Sequence, residues 1–301
     1  MIKLDWKKIM KLEYKIKPTD TYENIKQVLK CEFAMSDRLI LKLKNNNKIF
    51  LNSSPSPVWN SVKSSDLIEL FIDWEEDNSN VVPYKMDLNI IYEDECYFVL
   101  NKPAGIAIHP SCLHFDNSLS NAVRYYFDNI GLKKKIRPVN RLDKDTSGLV
   151  IFAKNEYVQE CLVKQMKTNT FKKEYLAIVY GIMEKDFDTI NLPIARKENS
   201  IIERTVDSRG DIAITHYNVI SIKNNMSYLE LKIDTGRTHQ IRVHLSYLGH
   251  PIIGDSLYGS SSNLINRQAL HSHKISFVHP ITKLPVSYVA DIPNDFGFYF
   301  Q

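Results

Sequence analysis

The sequence predicts an α+β protein: a largely antiparallel mixed sheet flanked by helices, preceded by a small amino-terminal α+β domain. Three observations predict it. Apolar runs of strand length follow one another directly, with few of the helical crossovers that a parallel sheet requires. Leu229, Leu231 and Ile233 alternate with Glu230, Lys232 and Asp234, the pattern of a half-buried strand. Composition changes at Trp74-Glu-Glu-Asp-Asn-Ser-Asn80, which is acidic and polar, with Pro83 behind it. The chain therefore divides into a domain over 1–75, a linker over 76–83 and a large domain over 84–301.

The elements follow in order. Tyr22 to Cys31 has helical spacing through Ile25, Val28 and Leu29, and Ser36 caps a second short helix carrying Leu39, Leu41 and Leu43. Ile49–Asn52 and Asp66–Ile72 read as strands, separated by the turn-rich Ser53-Ser-Pro-Ser-Pro57. Leu88 to Pro103 reads as two strands around an acidic turn. Leu119, Ala122, Val123, Tyr126, Phe127 and Ile130 share one helical face, with Asn117 or Ser118 as cap and Gly131 as stop. Val158, Cys161, Leu162 and Met166 form another apolar stripe. Ile241, Leu245 and Leu248 form a third, which Gly249 ends.

Composition bounds the function. A chain of 301 residues with 44% hydrophobic content can bury a sizeable core, which excludes general disorder. A net charge of +4 points to no partner by itself; a nucleic-acid partner would need a local basic path, not a high total. Cys31, Cys96, Cys112 and Cys161 form no CxxC pair, and scattered thiols suit a reducing cytoplasm. The start, Met1-Ile-Lys-Leu-Asp-Trp-Lys-Lys, has no continuous apolar core of a signal peptide, and no run is long enough to span a membrane. A cytoplasmic monomer is expected. The histidines of the last third, His239, His244, His250, His271, His273 and His279, lack metal-ligand spacing and are read as packing and hydrogen-bonding residues. No metal and no cofactor is expected.

The densest polar sequence is Arg137-Pro-Val-Asn-Arg-Leu-Asp-Lys-Asp-Thr-Ser-Gly-Leu-Val-Ile-Phe-Ala-Lys154. A charged loop, Arg141 to Thr146, runs straight into an apolar strand, Leu149 to Ala153. A carboxylate pinned to a rigid strand and flanked by basic residues is suited to act as a nucleophile. The string Asn140-Arg-Leu-Asp-Lys-Asp-Thr-Ser-Gly-Leu149 resembles the signature loop of the RluA-like pseudouridine synthases, with Asn140 where histidine is common. Further segments match that family in order: Asn101-Lys-Pro-Ala-Gly105 with His109-Pro110; Phe171-Lys-Lys-Glu-Tyr-Leu-Ala-Ile-Val-Tyr-Gly181; Asp234-Thr-Gly-Arg-Thr-His-Gln-Ile-Arg-Val-His-Leu245 with His250 to Gly259; and Arg267 to Pro280. The residues before 75 resemble, more loosely, an S-four-type RNA-binding domain.

The resemblance implies the pseudouridine synthase fold and isomerisation of a uridine already within RNA. The bond from sugar to base nitrogen breaks, the uracil turns, and a carbon–carbon bond forms, with no cofactor needed. Asp143 is by resemblance the essential carboxylate, attacking the sugar or taking a proton from it. Arg237 is by resemblance the arginine paired with that aspartate. Tyr175 resembles the active-site tyrosine, whose ring can stack on uracil and whose hydroxyl can handle a proton. Arg141 resembles the arginine that fills the gap left by an extruded base. Lys144 and Ile233 are assigned to substrate binding, and Lys133, Lys134, Lys135 and Lys172 to phosphate contacts, with Lys164, Lys167 and Lys173 on the same side. Ribosomal RNA of the large subunit is the expected substrate, with tRNA as the alternative. Two rivals stand beside this reading: a non-catalytic RNA-binding or ribosome-assembly protein on the same fold, and a carboxylate-based hydrolase, for which Asp145 is an awkwardly close partner.

Overall fold

The computed structural model describes residues 10–110 and 115–300; the charged amino terminus and Cys112 lie outside them. In the first 72 residues, strands β1 (Lys11–Lys15), β2 (Ile49–Leu51), β3 (Ser54–Pro55) and β4 (Leu67–Phe71) form an antiparallel sheet in the order β1-β4-β2-β3. Helices α1 (Ile25–Cys31) and α2 (Asp37–Asn45) bury Ile25, Val28, Leu29, Leu39 and Leu43 against Ile68 and Leu70. Asn24 and Ser36 accept the free N–H groups at the two helix starts. Strand β1 carries no sequence signal, since Leu12 is its one buried residue between exposed lysines and glutamate.

The remaining elements are β5 (Ile90–Glu93), β6 (Tyr97–Lys102), α3 (Leu119–Asn129), β7 (Arg137–Pro138), β8 (Ser147–Ala153), α4 (Glu156–Lys167), β9 (Lys172–Tyr180), β10 (Phe187–Asn191), β11 (Ile194–Arg196), β12 (Arg204–Val206), β13 (Ile214–Lys223), β14 (Met226–Ile233), α5 (Gln240–Tyr247), β15 (Leu270–Val278), β16 (Pro285–Val289) and α6 (Gly297–Phe300). Eight strands run in the order β10-β13-β14-β9-β15-β8-β6-β5, with β7 added to β8 and β16 to β15. Among the described residues β8–β15 is this sheet's one parallel pairing, so the expected antiparallel mixed sheet is what forms. β11 and β12 make a separate hairpin. No helix among the described residues is long and apolar enough to cross a membrane.

The two sheets are joined by charge as well as by apolar packing. Tyr157 of α4 sits in the small sheet's core. Glu156, almost fully buried, accepts from Arg38 at 2.7 Å and from Lys42, and Glu160 takes the Ser36 hydroxyl. The acidic stretch that reads as a linker is held along the basic run before the Arg141–Thr146 loop: Asp73 pairs with Lys134, Glu75 with Lys133 at 3.4 Å, and Glu76 takes both Arg137 Nη atoms at 2.6 Å.

β8 lies in the middle of the large sheet and is buried along its whole length, because β6 and β15 flank it. Gly148 makes that possible. Its φ is +111°, and a Cβ there would lie 2.2 Å from the Ser272 carbonyl oxygen of β15. Gly148→Ala is therefore expected to destabilise the fold by roughly 2–4 kcal/mol, from overpacking and a disfavoured backbone together. That corresponds to a melting temperature lower by roughly 5–10 °C. A thermal melt within 2 °C of wild type would show that the strands separate easily here.

Candidate active site

The loop between β7 and β8 carries Asp143, and its backbone is held from below. Asn140 is buried; its side chain donates to the Leu149 carbonyl at 3.0 Å and accepts the Ile151 N–H at 2.9 Å, lacing the loop to β8. Lys102 is completely buried and donates to the carbonyls of Pro103, Ile106 and Lys144 at 2.8–2.9 Å. Burial pushes the Lys102 ammonium down to about 7, while three carbonyl acceptors favour its charged form. The Gly105 N–H shares the Lys144 carbonyl, and Arg267 reaches the Asp145 carbonyl at 3.3 Å. Asp143 is thus presented by a loop whose carbonyls are tied down at two successive residues.

The loop forms one wall of a cleft of about 550 Å³, a volume suited to a small ligand or an extruded nucleoside. Arg141, Asp143, Tyr175, Ile233 and Arg237 all line it, as do His109, Lys173 and His239. Tyr175 comes from the centre of β9, between β14 and β15, which explains its burial. That burial, with the charge of Asp143 adding to it, pushes its phenol well above the usual range, so the hydroxyl keeps its proton. Arg141 is exposed at the mouth, with no ion pair to Asp145 among the described residues.

The guanidinium that meets Asp143 is not that of Arg237. Arg237 is exposed in the turn before α5; its side chain pairs with Asp211 at 3.2 Å and donates to the Ile212 carbonyl. Arg242, one turn into α5 and buried, donates through Nη1 to Asp143 Oδ2 at 3.0 Å. Its Nε and Nη2 form a fork on Asp255 at 2.7 and 2.9 Å, and Asp255 is only 1% exposed. The side chain of Asp255, further held by the N–H groups of Leu257 and Tyr258, fixes the arginine that faces Asp143. Helical phase would not have found Arg242, which stands about 100° from Ile241; it is buried because every residue from Gln240 to Leu245 is, and a buried charge requires a counter-charge.

The basic residues divide. Lys133 and Lys134 are held by Glu75 and Asp73 and do not face the cleft, while Lys135 is exposed beside them. Lys144 and Lys172 are exposed but do not line the cleft; Lys164 donates to the Ala34 carbonyl. Lys173 does line it, its Nζ 3.4 Å from where a Cβ on Gly236 would stand, and burial lowers its pKa. An ammonium there with no ion-pair partner among the described residues is available to a phosphate.

The sequence profile of the family described as RNA pseudouridylate synthase matches residues 96–247, half of the chain, with Asp143, Tyr175 and Arg242 inside the match. An RNA pseudouridine synthase of Bacillus subtilis, YhcT, is 42% identical over 257 residues, covering 84% of this chain and 82% of its own length. The chain belongs to the RNA pseudouridylate synthase family. It is an isomerase that converts uridine in RNA to pseudouridine. A ribosomal large subunit pseudouridine synthase D of Xylella fastidiosa is 38% identical to this synthase over 72% of the chain and 70% of that relative. The solved structure of human RNA pseudouridylate synthase domain containing 1 superposes with a TM-score of 0.57 at 27% identity, over 68% of this chain and 83% of that one.

In this synthase the cleft brings a carboxylate and a phenol together. The carboxylate, Asp143, stands at one wall with Oδ2 held by Arg242. A neutral phenol stands inside the cleft, able to contact the base and to take part in proton transfer once the carbon–carbon bond has formed. The grouping Asp94, Cys96 and His279 lies away from the cleft. There His279 Nδ1 accepts two backbone N–H groups, which leaves Nε2 to donate to Asp94 at 2.9 Å.

Proposed function

We propose that this synthase modifies uridine in large-subunit ribosomal RNA, with Asp143 as the acting carboxylate, Arg242 as its partner and Tyr175 as the residue that contacts the base. The observation that carries the assignment is the Asp143–Arg242–Asp255 chain, in which a fully buried carboxylate aims one guanidinium at one cleft carboxylate. The substrate class follows the large-subunit synthase among the relatives. It is supported by the cations at the cleft, Arg141 and Lys173, and by the four-stranded unit of residues 10–72. That unit is read as an S-four-type RNA-binding domain from its two capped helices and antiparallel sheet. Arg141 is placed to occupy the gap in the RNA stack when the target base enters the cleft. The protein acts as a monomer in the cytoplasm.

The test uses ribosomal RNA and tRNA from cells that lack the protein. Each is incubated with purified enzyme, and new pseudouridines are located by chemical adduct formation and primer extension. A new stop in large-subunit RNA is expected, and its position names the nucleotide. A stop confined to tRNA would overturn the ribosomal assignment and keep the reaction. No new stop in either RNA, or in immature ribosomal particles, would favour a non-catalytic RNA-binding role.

A further inference from the structure

His239 stands immediately before α5 with a left-handed backbone, φ +58° and ψ 18°. Residues with a Cβ adopt that conformation rarely, and its side chain does not cap the helix. The unusual backbone places the ring between Tyr258 and Asp143. Its Nδ1 lies 2.8 Å from the Tyr258 hydroxyl, and that hydroxyl also accepts the Arg204 N–H at 2.8 Å. A phenol has one proton to give. With Arg204 as its donor, Tyr258 has its own proton left to give, and Nδ1 is the acceptor in reach. Nδ1 is then an acceptor, and the ring proton of the neutral imidazole sits on Nε2. Nε2 is 3.8 Å from Asp143 Oδ2, the oxygen that Arg242 already holds. The Tyr258 ring also lies under the Arg242 guanidinium, 5.1 Å from its centre, so one tyrosine supports both groups that face Asp143.

We infer that His239 is a positioning residue for Asp143: a neutral imidazole, fixed as the Nε2–H tautomer by Tyr258, whose N–H closes onto Oδ2 when RNA is seated and fixes the carboxylate in one orientation. The inference rests on Asp143 being the acting carboxylate. A closure of about 1 Å brings Nε2 to hydrogen-bond distance, a common tightening between free and substrate-bound sites. The charged groups that face the ring are Asp143 from the loop before β8, Arg242 from α5, Arg204 from β12 and Asp255 from the turn after α5. Burial is the largest influence and lowers the imidazole pKa, with the arginines adding to it and the carboxylates opposing it. The ring is therefore neutral at pH 7 and above; protonation as pH falls turns Nδ1 into a donor and ends the Tyr258-to-Nδ1 bond, while Nε2 keeps its proton toward Asp143.

The test has two arms. In the full-length protein labelled with 15N-histidine, two-bond proton–nitrogen correlation spectra at pH 7.5 report the tautomer, and His239→Asn assigns the signal because asparagine tolerates a left-handed backbone. The expected pattern has the proton on Nε2 and a bare Nδ1; a proton on Nδ1 would overturn the inference. In single-turnover assays on the modified RNA, His239→Asn is expected to lower the rate constant about tenfold to a hundredfold, with the half-saturating enzyme concentration changed less than about twofold. Tyr258→Phe removes the donor to Nδ1 and is expected to raise the share of the Nδ1–H tautomer in the same spectra. An unaltered rate constant, or a loss confined to RNA affinity, would overturn the inference. If the wild-type protein modifies no RNA, the functional reading fails, and the tautomer is still decided by the spectra.

Discussion

Asp143→Asn is expected to end pseudouridine formation while leaving the fold intact. Asparagine has the shape of aspartate, and its amide oxygen can still accept from Arg242. Arg242 keeps its fork on Asp255, so no buried charge is left alone. What is lost, on the reading proposed above, is the anionic oxygen that attacks the sugar or takes its proton. Removal of an acting group of this kind costs roughly 10³–10⁶-fold in turnover. Single-turnover assays on the mapped RNA check the rate, and a thermal melt within about 3 °C of wild type checks the fold. A variant with a tenth or more of wild-type activity would remove Asp143 from its assigned role.

Arg242→Met is expected to damage both stability and turnover. Methionine fills part of the volume, but Asp255 becomes a buried carboxylate with no cation, a change of about 3–5 kcal/mol. Asp143 loses the donor that fixes Oδ2, and turnover should fall at least about a hundredfold. Arg242→Lys keeps the charge but cannot fork, and should fall between the two. Arg237→Ala is the contrasting variant. Its partner Asp211 is largely exposed, and such pairs contribute about 1 kcal/mol or less to stability. Denaturant unfolding of the two variants side by side decides the matter. If Arg237→Ala costs more stability than Arg242→Met, the assigned pairing is wrong.

Much of the fold was legible because burial leaves a periodic trace. The alternation at Leu229–Asp234 became β14, and the uninterrupted Leu149–Ala153 became a central strand. The caps Ser36 and Ser118 start the helices they were read to start. β1 was not legible, because an edge strand with one buried side chain leaves no pattern. In the site, Asp143 and Tyr175 were legible as members of motifs, and the fold places both in one cleft. The choice between Arg237 and Arg242 needed the rotation of α5, and the fork on Asp255 crosses thirteen residues of sequence. Lys133 and Lys134 looked free because their carboxylate partners lie about sixty residues earlier.

Those same pairs change how the molecule can choose its substrate. A small domain on a loose tether would raise the local concentration of RNA and leave the selection of a base to the cleft. Here the connecting segment is fastened to β7 and its approach, and α2 is fastened to α4 through Glu156. On the reading proposed above, the distance from the cleft to the small sheet is then a fixed length. On that same reading the enzyme works as a calliper: it accepts the uridine that lies one set span from a particular fold of the RNA, and an identical flanking sequence at another span does not fit.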